Sequence, residues 1–80
     1  MIRLGKKVKT DAKAVLGKAA SVFGPSGHGL EITEKGNCHI EFSGGEGFVN
    51  VAARAVNSKT DVDVATKECE VQAKAFIASL

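Results

Sequence analysis

The chain has 80 residues, 44% hydrophobic but only 5% aromatic, with no Trp or Tyr and a formal net charge of +2. That composition predicts one domain, residues 1–80, with a thin core, and it contains no apolar run near the roughly 18 residues of a membrane-spanning helix. Two cysteines do not make a disulfide framework, and no apolar signal core follows the basic N-terminus, so a cytoplasmic protein with reduced thiols is expected.

The modest total hides an uneven distribution. Residues 1–18 hold Arg3, Lys6, Lys7, Lys9, Lys13 and Lys18 against Asp11 alone, a balance of +5, and the remainder stands at −3. A one-sided field of this kind recruits an anionic partner or orients two copies of a chain.

In chain order, the first predicted element is a helix from about Lys6 to Phe23. At 100° per residue Val8, Ala12, Val15, Leu16, Ala19, Val22 and Phe23 form one apolar stripe, with the lysines, Gly17 and Ser21 outside it. Gly24-Pro25 ends it, because proline cannot continue the hydrogen-bond ladder. A loop, Gly24 to Gly29, leads to period-two segments separated by short turns. Leu30–Thr33 and Cys38–Ser43 have apolar even positions; Gly36-Asn37 and Gly44-Gly45-Glu46-Gly47 read as turns. Phe48–Val56 is the longest strand, with Val49, Val51, Ala53 and Ala55 opposite Asn50, Ala52 and Arg54. Thr60–Thr66 turns Val62 and Val64 inward and Asp61 and Asp63 outward. Alternation with short turns predicts an antiparallel meander with one solvated face.

From Thr66 onward Cys69, Ala73, Phe76, Ile77 and Leu80 follow helical spacing, with Thr66 as the N-cap. Cys69–Lys74 also reads as a fifth strand, because Val71 breaks the stripe. The expected class is α+β: a four-stranded antiparallel meander with an N-terminal and a C-terminal helix on one face, in the order α-β-β-β-β-α. The αβββα part of that order resembles double-stranded-RNA-binding domains, which present lysines at the start of their last helix. Here both candidate starts, Lys59–Asp63 and Thr66–Glu70, are net acidic, and the chain is not assigned to that family.

No convergent catalytic set is present, so a non-enzymatic protein is expected, with no cofactor and no metal. The glycine-rich loop precedes a strand, whereas a phosphate-cradling loop precedes a helix. Cys38, His39, Cys69 and His28 would complete a zinc set, but adjacent strand residues leave opposite faces, and no Cys-x-x-Cys pair exists. Both cysteines read as small core residues. Two surfaces remain. The lysines Lys6, Lys7, Lys9, Lys13 and Lys18 could neutralise phosphates of a nucleic acid or simply be solvated. The open sheet face, by parity, carries Glu31, Thr33, His39, Glu41, Asn50, Ala52, Arg54, Asp61 and Asp63. It reads either as an ordinary wet surface or as an interaction face for a second copy or a protein partner. The expected function is a small interaction module, self-associating and binding a protein partner, with nucleic-acid binding through the basic helix as the alternative.

Overall fold

The computed structural model describes residues 2–25, 27–45 and 47–80. Met1, Ser26 of the predicted loop and Glu46 of the predicted turn lie outside the described residues. The elements are β1 (Ile2–Val8), α1 (Ala12–Phe23), β2 (Glu31–Lys35), β3 (His39–Gly44), β4 (Gly47–Val56), β5 (Lys59–Lys67) and α2 (Glu70–Ala78). All five strands join one antiparallel sheet in the order β1-β5-β4-β3-β2. The α+β class and the β2–β5 meander agree with the alternation of the sequence. The expected four strands are five.

The additional strand is β1, whose last residues, Lys6 to Val8, fall where the sequence predicts the first turn of a helix and whose first residues carry no predicted element. Ile2, Leu4 and Val8 alternate, but the inward position between Leu4 and Val8 is filled by Lys6, which breaks the apolar period. Helix α1 therefore begins at Ala12 rather than near Lys6, with Asp11 at its N-cap. It ends at Gly24-Pro25 as predicted. The C-terminal segment is helical, but β5 runs through Lys67, so Cys69 and not Thr66 occupies the N-cap. The Thr66 side chain is instead fully buried, and its hydroxyl donates to the Phe48 carbonyl at 2.8 Å.

Both helices cover the same sheet face. Helix α1 lies over β4 and β3, and α2 over β1 and β5. The core between them holds Val15, Leu16, Ala19 and Phe23 of α1, Ala73 and Phe76 of α2, and the inward residues Ile40, Phe42, Val49, Val51, Val62 and Val64. Three phenyl rings join the layers: Phe23 meets Phe76 edge-on at 5.3 Å and Phe42 at 5.6 Å. Such pairs add about 0.5–1.5 kcal/mol beyond their burial. Cys38 departs from the expected core position. It precedes β3 in the turn and is exposed, because the alternation that would turn it inward begins only at His39. Cys69 is partly buried against the core.

Gly17 lies exposed in the interior of α1, and a Cβ built there meets no atom within 4 Å. The residue therefore costs helix stability without relieving any contact. Gly17→Ala is expected to stabilise the protein by about 0.5–1 kcal/mol, read as a higher urea midpoint at unchanged slope. A lower midpoint would contradict the packing described for α1.

Candidate functional site: the uncovered sheet face

A strand turns successive side chains to opposite faces, so the residues that alternate with the core must face away from the helices. The ladder registers arrange them in rows across the sheet. One row runs Arg3, Ala65, Asn50, Glu41, Glu34; the next runs Gly5, Asp63, Ala52, His39. On either side lie Lys7, Asp61, Arg54 and Lys67, Phe48, Ser43, Glu31. The predicted face residues Glu31, His39, Glu41, Asn50, Arg54, Asp61 and Asp63 are thus brought to one surface, as the parity of the sequence implied. Thr33 sits at an irregularity between Ile32 and Glu34, where β2 shifts register, and its hydroxyl donates to the Glu41 carbonyl at 3.3 Å.

Sequence parity alone did not bring Arg3, Lys7 and Glu34 to this face. Arg3 and Lys7 arrive because β1 is a strand, and Glu34 because the β2 shift places it opposite Glu41. The signal for β1 was present in the spacing of Ile2, Leu4 and Val8. The β2 shift has no sequence signal that we can identify.

Charge is segregated on the face. At the β1 side Arg3 binds Asp63, Nη2 to Oδ2 at 3.2 Å. At the β2–β3 side the His39 imidazole lies between two carboxylates, with Nε2 at 3.5 Å from Glu34 and 3.9 Å from Glu41. Gly36 allows this placement, because a Cβ there would meet the His39 ring at 2.6 Å. The ligand-type atoms of Glu34, His39 and Glu41 all lie within 4.8 Å of one another. One imidazole nitrogen and two carboxylates form an ion-pair cluster when the ring is protonated, and the same donor set suits a divalent transition metal when it is neutral. Between the two charged sides the face is low, because Ala52 and Ala65 are small. An open depression of about 500 Å³ is lined by Gly5, Ala52, His39, Arg54 and Asp63. A smaller one beside it, about 220 Å³, lies among Arg3, Asn50, Glu41 and Ala65.

The five lysines predicted as one basic helix face are distributed over three segments. Lys6 and Lys7 are on β1, Lys9 lies between β1 and α1, and only Lys13 and Lys18 are on α1. Two of them are engaged internally. Lys6 Nζ donates to the Ile77 and Leu80 oxygens at 3.4 and 3.2 Å, and Lys18 Nζ to the Ser79 carbonyl at 2.9 Å. These oxygens belong to the last turn of α2 and the residues after it, where the carbonyls have no helical partner and the helix dipole is negative. No helix among the described residues is long and apolar enough to cross a membrane.

No protein-family model matches the chain, and no curated protein and no solved structure matches it.

Lys6 and Lys7 offer a direct comparison on one strand. Lys6→Met is expected to lower stability by about 1 kcal/mol through loss of the α2 contacts. Lys7→Met is expected to stay within about 0.5 kcal/mol. Equal effects in chemical denaturation would contradict the assignment of Lys6 to the end of α2.

Proposed function

We propose that this chain is a small non-enzymatic interaction module that self-associates through the uncovered face of its sheet and presents that surface to a protein partner. One observation carries the reading. Both helices pack on the same face of a five-stranded sheet, and the opposite face combines a low centre of Ala52 and Ala65 with a β1 edge that carries Arg3 and Lys7 and a β2–β3 side that carries Glu31, Glu34 and Glu41. Its larger depression is lined mainly by small and charged side chains rather than by the large apolar and aromatic ones typical of a small-molecule pocket, which suits a protein surface better than a small substrate. The strand edges support face-to-face rather than edge-to-edge association. Edge strand β2 carries Glu31, Glu34 and Lys35 and a register shift, and edge strand β1 carries Arg3, Lys6 and Lys7. Charges and irregularities of this kind oppose strand addition.

The alternative, a nucleic-acid-binding module using Lys6, Lys7, Lys9, Lys13 and Lys18, has less support. Lys6 and Lys18 are committed to α2, which reduces the charge free to displace counterions.

Sedimentation velocity over a range from micromolar to millimolar protein tests both. The reading expects a rising weight-average mass that falls again in high salt, since exposed ion pairs are screened. A strict monomer at every concentration, together with salt-sensitive binding to duplex RNA or DNA, would favour the alternative.

A further inference from the structure

We propose that a second copy of this chain docks on the uncovered face about a two-fold axis running along β4, so that the Arg3–Asp63 pair of one copy meets the His39–Glu34 pair of the other. The proposal rests on the self-association reading above and adds its geometry.

β4 is the third of five strands. A two-fold axis along it, between two facing sheets, exchanges β5 with β3 and β1 with β2 while keeping every residue at its own level along the strands. Arg3 and Glu34 close opposite ends of the same row, so Arg3 comes to lie over the partner's Glu34. In the next row Asp63 and His39 flank Ala52 symmetrically, so Asp63 comes over the partner's His39. Each contact occurs twice. The two intrachain pairs, 3.2 Å for Arg3–Asp63 and 3.5 Å for His39–Glu34, become two alternating quartets in which every cation has an anion across the interface when His39 is protonated. In the Phe48 row Lys67 lies over the partner's Ser43, beside the partner's Glu31.

The residues on the axis suit close approach. Phe48, Asn50 and Ala52 meet their own copies, which stacks an aromatic pair, pairs two amides that can each donate and accept, and brings together two small side chains. Arg54 also meets its copy, but each Arg54 stands directly opposite Asp61 in its own ladder. Facing sheets pack about 10 Å apart and cross at about 30°. That rotation shifts the outer rows by roughly 5 Å, within reach of Arg and Glu side chains. Five strands at about 4.8 Å and about seven residues at about 3.3 Å give a face of roughly 500 Å² per copy. The pair then buries about 1,000 Å², near the lower bound for a specific interface.

Other symmetric arrangements match less well. An axis across the strands sets each strand on its own copy, so that β1 with Arg3 and Lys7 faces β1, and β2 and β3 with Glu31, Glu34 and Glu41 face β2 and β3. Like charges face to face oppose association.

The test is a charge exchange read by sedimentation. Arg3→Glu alone sets glutamate against the partner's Glu34, and Glu34→Arg alone sets arginine against the partner's Arg3. Each is expected to weaken self-association at least tenfold. An equimolar mixture of the two single variants, and the Arg3→Glu/Glu34→Arg double variant alone, are each expected to return to within about threefold of wild type. Ala52→Arg, exposed and on the axis, is expected to abolish pairing. Circular dichroism confirms that each variant is folded. Wild-type-like association in both single variants, or no recovery in either the mixture or the double variant, would overturn the two-fold arrangement while leaving self-association standing. A wild-type protein that is monomeric throughout would overturn both.

Discussion

The alternation of side chains along β3, β4 and β5 is the constraint on which the rest of this molecule depends. Ile40, Phe42, Val49, Val51, Val62 and Val64 turn to one side, and His39, Glu41, Asn50, Ala52, Asp61 and Asp63 turn to the other. With a continuous set of large apolar residues on one face only, the chain places both helices there. Neither helix could move to the opposite face without taking its ion pairs out of water, which costs several kcal/mol per charge. The core is accordingly one layer thick, closed by Phe23, Phe42 and Phe76. In a protein of 80 residues such a core leaves little stability in reserve.

The basic N-terminal segment serves two purposes that its sequence does not separate. The same alternation divides β1. Lys6 turns inward and extends its stem along the helix layer to reach the end of α2, a common use of a long amphipathic side chain. Arg3 and Lys7 turn outward and make the β1 side of the open face cationic. A charge excess that looks like one basic patch is thus split between holding a helix terminus and shaping a surface.

Much of the fold was legible because the physical signals were local. The meander follows from period-two segments and short turns, the end of α1 from Gly24-Pro25, and the content of the open face from parity. The departures from those signals have equally specific causes. The end of β1 carries a helical signal because Lys6 occupies an inward strand position, where a polar head group interrupts the apolar period, and Val8 falls in line with the stripe of α1. The Thr-Asp step before Ala12 was the better marker of the helix start. Thr66 carries a cap signal because a threonine before a helical stretch is a good cap, but a buried bond to the Phe48 carbonyl uses its hydroxyl elsewhere. Cys38 lies one residue ahead of the strand whose alternation would have buried it. The Glu34–His39–Glu41 cluster depends on the β2 register shift, and no single-sequence pattern encodes that shift.

The central claim is that the uncovered face is where this molecule meets other molecules, beginning with its own copy. Amide chemical shifts followed over a dilution series test it most directly, because they report the location of contact without altering a residue. The account predicts concentration-dependent shifts at Arg3, His39, Asn50, Ala52 and Asp63, with α1 and the outer surface of α2 unchanged. Shifts confined to the helices, or to the β1 and β2 edges, would contradict it.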